Sequence, residues 1–312
     1  MIKYYNILKL LLISLLFSSA CETIINPNLE SAEPILVIDA WINNKAEPQV
    51  ISLSMTQPYF ENVVPPPVEG AQVSITDSNG KVYVFTEAEP GAYTWTPVGS
   101  EVFGETGLSY ELRITANGES YISSTKMGRV PPIDSITFLV EEGNQFVTDL
   151  YLAEFWAVDP LEAGDSYRIK AFKNGNLLNK PSEMNLAYDA GFSKGGGTFT
   201  GITFISPIRT GINPFDQDEN KELLSPYVVG DSVYVELHSL TDASFDFLTQ
   251  VALQTDRPGG FSELFSTPLA NVSSNVRNDN PNGKKVVGFF NVASVSGLGR
   301  KFASLDDVTK QN

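Results

Sequence analysis

The sequence predicts an all-β protein. It reads as an N-terminal immunoglobulin-like or carboxypeptidase-regulatory-like β-sandwich followed by a larger β-rich domain with one short helix. Three observations lead there. Runs of four to eight residues rich in Val, Ile, Tyr and Phe recur along the chain. Many of them end at Asn-Gly, Pro-Gly or Pro-containing turns. Helical periodicity is convincing in only one stretch beyond the first twenty residues. Short alternating runs between turn signals are the pattern of sandwiches, because each strand buries one face and reverses quickly.

The first strand signal is Ile35 to Ile42, which stops at Asn43-Asn44. Val50 to Met55 then alternates, with Ile51, Leu53 and Met55 on one face and Ser52 and Ser54 on the other. After the stiff Pro65-Pro66-Pro67, Val73-Ser74-Ile75 and Val82 to Phe85 flank Asn79-Gly80, which reads as a hairpin. Pro90-Gly91 leads into Tyr93 and Trp95, and Tyr110 to Ile114 turns at Asn117-Gly118 into Tyr121-Ile122-Ser123. These strands place a first domain at 34–129. Val130-Pro131-Pro132 reads as a boundary, because consecutive prolines cannot pair within a central strand.

A second domain, 133–312, continues with Ile136 to Val140, Leu150 to Val158 and Tyr167 to Phe172, the last ending at Asn174-Gly175. Gly195-Gly196-Gly197 reads as a mobile loop, and Asn213 to Glu222 as an acidic surface loop. Val233, Val235 and Leu237 alternate with Tyr234, Glu236 and His238, which predicts a strand with one buried face and His238 turned towards solvent or a loop. Thr241 or Asp242 is placed to cap a helix to about Gln254, with Phe245, Leu248, Ala252 and Val251 inward. Pro281-Asn282-Gly283 turns into the strand Val286 to Phe290, and the last dozen residues read as frayed.

The 312 residues suffice for two domains, and the net charge is −16. Lys3 and Lys9 are the only charges in residues 1–20, so the remainder has 19 basic and 37 acidic residues, net −18. Such a surface repels phosphate backbones and argues against a nucleic-acid partner.

Residues 1–20 have a short basic start, an apolar run from Leu10 to Phe17 and a small-residue close, Ser18-Ser19-Ala20. That is the build of a signal peptide, and its core is too short to span a bilayer. Cys21, the only cysteine, follows directly. The stretch looks like a bacterial lipoprotein signal, which implies cleavage after Ala20, a diacylglycerol thioether on Cys21 and further acylation such as palmitate. Residues 21–33 then read as a flexible tether.

Cys21-Glu22, Val37 to Ile42, Pro65 to Val73, Gly91-Ala92-Tyr93, Pro131 to Ile136, Gly230 to Val233, Asn271 to Val276 and Gly288-Phe289-Phe290 occur in an order that resembles a Bacteroidota family of outer-membrane lipoproteins labelled only as a domain of unknown function. The resemblance implies the sandwich-plus-β-domain architecture and a gene context that often includes TonB-dependent receptors. It carries over no catalytic residues.

Several chemistries can be weighed against the residues. No G-x-S-x-G elbow is present, and the one histidine, His238, and one cysteine leave no zinc ligand set. Asp216, Asp218 and Asn220 resemble the start of a calcium loop, but Lys221 stands where glycine belongs and Tyr227 where the bidentate acid belongs; a solvated acidic turn fits better. The triple glycine lacks the Lys-Ser/Thr pair of a phosphate cradle. Asp134-Ser135-Ile136 and Asp231-Ser232-Val233 are similar to Bacteroidota O-glycosylation sites, with Ser135 and Ser232 as acceptors. Trp41 and Trp156 read as core, and Tyr59-Phe60 as an aromatic pair packed onto the sandwich by its own loop. No cofactor is expected. The reading is a non-enzymatic accessory or binding lipoprotein of the outer membrane, beside a TonB-dependent transporter, with surface display favoured over a periplasm-facing arrangement. A surface adhesion or structural module is the alternative, and a carboxylate-based hydrolase a further one.

Overall fold

The computed structural model describes residues 33–58, 61, 63–143, 148–192, 194 and 199–310. The expected signal, Cys21 and most of the tether lie outside the described residues, as do Tyr59-Phe60 and Gly195 to Gly197.

Seven strands come first: β1 (Leu36–Asn43), β2 (Gln49–Met55), β3 (Gln72–Asp77), β4 (Val82–Glu89), β5 (Ala92–Trp95), β6 (Ser109–Ala116) and β7 (Glu119–Lys126). The turn chemistry works as the sequence implies. Asn117 and Gly118 both have positive φ (52° and 78°), which closes the two-residue β6–β7 hairpin. Asp77 Oδ1 accepts from the amides of Asn79 and Lys81 and so fixes the β3–β4 turn. β4 joins the two halves of one nine-stranded sheet: Val82 to Phe85 pair with β3, and Thr86 to Glu89 pair with β5, with a bulge between Glu87 and Glu89. The sheet therefore folds over on itself around Ile38, Ile51, Tyr93, Phe103, Leu112 and Ile114, all nearly inaccessible.

The rest of the chain runs β8 (Ser135–Glu141), β9 (Leu150–Trp156), β10 (Ser166–Lys173), β11 (Asn176–Leu177), β12 (Asn185–Tyr188), α1 (Ser206–Thr210), β13 (Ser232–Leu240), α2 (Asp242–Thr255), β14 (Arg277–Asn278), β15 (Val286–Ala293), β16 (Val295–Lys301) and β17 (Val308–Lys310). β10 and β13 centre one sheet, with β16, β11 and β12 around them; β8, β9 and β17 form another. Between these two sheets lies a second core of Phe138, Phe155, Tyr167, Val235, Leu237 and Phe302. Thr241 caps α2, its Oγ1 accepting from Ser244 N. Phe245 and Leu248 are buried as expected, whereas Val251 and Ala252 are half-buried. The five-residue α1, opened by Pro207, was not expected.

The main departure from expectation is β15. It belongs in sequence to the second region but pairs in parallel with β1 over its whole length, from Leu36–Val286 to Asn43–Ala293. β14 likewise pairs with β7. Val276, Phe290 and Val292 therefore complete the first core, and a single cut in the chain does not separate the two lobes. Gly288, at φ 134°, lies against Ile38 so closely that an added Cβ would collide with the Ile38 backbone. The far edge of β15 is closed by a side chain: Asn275 accepts from Phe290 N and donates to Phe290 O, both at 2.8 Å.

Candidate functional site

The chemistry-bearing side chains that the fold brings together lie where the β10–β13 sheet meets β1, β15 and the ends of β7 and α2. On the face of β10–β13 opposite its core, Arg168 stands across from His238 and Lys170 across from Glu236. This face is covered rather than wet. Glu236 is 2% exposed and His238 6% exposed, which corrects the expectation that His238 turns towards solvent or a loop. The turn after β1 brings Lys45 onto Glu236, and Trp41 and Asn43 of β1 with Asn291 of β15 line the same small space as His238.

Glu236 is held from both sides: Lys45 Nζ lies 2.6 Å from Oε1, and His238 Nε2 lies 2.8 Å from Oε2. Burial alone would raise this carboxyl, but the contacts from His238 and Lys45 outweigh it and hold it at about 2. His238 is pushed down to about 4, chiefly by burial and further by the charges of Lys170 and Arg168, against the pull of Glu236. It is therefore neutral at pH 7 and donates from Nε2. Among the described residues its only hydrogen-bond partner is Glu236, so no hydroxyl is paired with it for nucleophilic attack. Burial, and then the neighbouring Arg168, push Lys170 down to about 8.

At the end of the same sheet is an open cleft of about 610 Å³. Its walls come from Thr106-Gly107, Lys126 to Arg129, Glu162 to Asp165 and Leu240 to Asp242. Arg129 fixes one wall, its Nε donating to Asp165 Oδ2 at 2.9 Å and its Nη2 to Leu161 O at 2.6 Å. Beneath that wall Tyr167 donates to the buried Asp159 Oδ1 at 2.7 Å. Burial first, with the charges of Asp189 and Asp165 added, raises Asp159 to about 6. Asp159 is 1% exposed, so no substrate reaches it from the cleft. Leu161, whose carbonyl Arg129 holds, is 75% exposed and lies against Gly201; nearby in sequence, Val158 is about half exposed and bridges Thr203.

The residues singled out from sequence lie elsewhere. Asp216 pairs with Lys180, and Asp218 Oδ1 accepts from the amides of Asn220 and Glu222, so these oxygens serve their own turn. Among the described residues no group of three His, Cys, Asp or Glu side chains is placed to hold a metal ion. Ser135 opens β8 and is half-exposed; Ser232 opens β13, is exposed and donates its amide to Asn174. Trp41 stacks on Phe289, which stacks on Phe247 of α2. Trp156 lies under the Arg209 guanidinium, 4.1 Å from its ring centre, and donates to Thr137. Neither Arg168 nor Lys170 was visible as a site residue, because their importance depends on β1 and β15 covering them.

A family model described as "Domain of unknown function (DUF4249)" matches residues 22–297. No curated protein matches the chain. Among solved structures, the N-terminal four Ig domains of Dscam1 isoform 7.44 align with 67% of this chain at 14% identity. The chain spans about half of that structure (49%), and at a TM-score of 0.15 the likeness carries no argument about fold or partner.

Proposed function

The chain belongs to the DUF4249 family, a domain of unknown function, and on that premise we propose that it is a lipoprotein anchored in the outer membrane through Cys21. It acts as a non-enzymatic accessory or binding subunit, with a TonB-dependent transporter or a related surface complex as partner. The observation that carries the binding role is the cleft at the end of β7 and β13. A cleft walled by Arg129, Glu162 and Asp165, with the exposed Leu161 next to Glu162, suits contact with another macromolecule, because an exposed apolar side chain beside fixed polar groups supplies both area and register. The anchor reading is supported by the placement of Cys21 behind an apolar run.

Crosslinking in membranes followed by purification of the full chain tests this reading. An outer-membrane β-barrel should co-purify, and Leu161→Asp should reduce its recovery at unchanged expression. Recovery of the anchored protein with no outer-membrane partner would sink the accessory role. Palmitate labelling that survives Cys21→Ser would sink the anchor. Protease digestion of intact cells should cleave the chain; full protection would place it on the periplasmic side instead.

A further inference from the structure

Arg168 and Lys170 sit two residues apart on β10, so their side chains leave the same face at a spacing of about 7 Å. Both are half-buried. Among the described residues neither has a carboxylate within 4 Å or a hydrogen-bond partner. Glu236, across the sheet from Lys170, is already divided between Lys45 and His238. Asp39 is felt by Arg168 only as a charge at longer range. Two like charges held together in a partly desolvated site are costly unless something of opposite sign joins them.

Two small cavities flank the pair, each of about 20 Å³. One includes Glu183 and Lys180 in its wall. The other contains no carboxylate: its polar lining is Arg168, Lys170, His238, Asn43 and Asn291, and its remaining wall includes Trp41, Ile42, Leu240 and Ala293. Asn43 Oδ1 accepts from Lys45 N, and among the described residues its Nδ2 makes no hydrogen bond. Asn291 is spent on Ser244 and Ser239. The groups free to act are thus two cations and an amide N–H, all of them donors. A space of this size holds about one water-sized particle, which excludes sulfate, phosphate or a carboxylate on a chain.

We propose that this pocket between β10, β13, β1 and β15 binds a single halide ion, chloride in its natural setting, held by Arg168, Lys170 and the Asn43 amide. The ion supplies the charge that the two cations lack, and it ties the second lobe's sheet to the β1–β15 pair. His238, whose Nε2 proton goes to Glu236, forms part of the wall and presents no donor to the ion at neutral pH.

The test uses the full chain at constant ionic strength, with sodium gluconate replaced stepwise by sodium chloride or bromide. Tm should rise by about 2–4 °C and saturate. Lys170→Met should abolish the rise, whereas Lys126→Met, at the cleft, should keep it. Crystals grown in bromide should give an anomalous peak in contact with Arg168 and Lys170. Equal Tm in chloride and gluconate overturns the proposal, as does a linear rise that Lys170→Met leaves intact, which is a bulk salt effect. Should Lys170→Met fail to fold, the wild-type bromide crystal decides, and no peak at this position overturns the site.

Discussion

β6 and β13 read alike as sequence and differ completely in the folded chain. In β6, Tyr110, Leu112 and Ile114 point into a core, and Glu111 and Arg113 point out. In β13, Val233, Val235 and Leu237 point into a core, and Glu236 and His238 point out. Glu111 and Arg113 meet in water as a 3.1 Å ion pair with about half of each side chain exposed. Glu236 and His238 meet at 2.8 Å with 3% and 8% of their side chains exposed. The outward face of β13 is covered because Lys45 and the β1–β15 pair arrive from distant parts of the chain. Alternation therefore reports that one face of a strand is apolar; it does not report that the other face is wet.

The contrast can be tested by deletion. Glu236→Ala leaves Lys45 and His238 facing each other without their shared carboxylate and should cost about 3–5 kcal/mol in denaturant unfolding. Glu111→Ala should cost less than about 1 kcal/mol. Equal losses for the two variants would refute the comparison. A smaller effect comes from pH. His238 has a folded value near 4 against 6.5 for a free imidazole, so the unfolded chain takes up its proton first as pH falls. The stability tied to this histidine is whole above about pH 6.5 and disappears as pH drops towards 4, up to about 3 kcal/mol in all. His238→Gln should flatten that slope.

Asp159 supplies the opposite sign from the other end of the sheet. Its folded value of about 6 lies above its ordinary 3.8, so its protonation between those limits favours the fold as pH falls. The stability of Asp159→Asn relative to wild type should thus increase with pH between about 4 and 7; a flat difference would show that Asp159 is not held as described. The smallest effect is at the surface. A double-mutant cycle on Glu111 and Arg113 should give a coupling of about 0.2–1 kcal/mol that shrinks in high salt.

Local chemistry was readable because its causes are local. Asn117-Gly118 and Asn174-Gly175 adopt the positive φ values that their hairpins need, and Thr241 caps the helix it precedes. What was not readable depends on partners far along the chain. Nothing near Val286 to Phe290 says that its neighbour is Leu36 to Ala40, and without that pairing neither the burial of His238 nor the isolation of Arg168 and Lys170 follows. The segments behind the family resemblance turn out to be packing nodes. Tyr93 Oη accepts from Ala71 N and donates to Val68 O, and Asn275 brackets Phe290 beside Gly288. They report architecture, which is why they gave the fold and no catalytic residue.

The return of β15 to β1 also sets an order of events. A polypeptide leaves the ribosome, or a translocation channel, from its N-terminus, so the strands of the first lobe emerge early. Their last partner, Val286 to Ala293, emerges near the end, and pairing across such a sequence separation is slow. Until then β1 shows a bare edge above a half-closed core, the template on which another molecule's strand can settle. The first lobe to be made is among the last to be finished. A chain cut between Asn280 and Val286 should therefore accumulate as swapped or aggregated species on native gels, even though every strand from β1 to β7 is present.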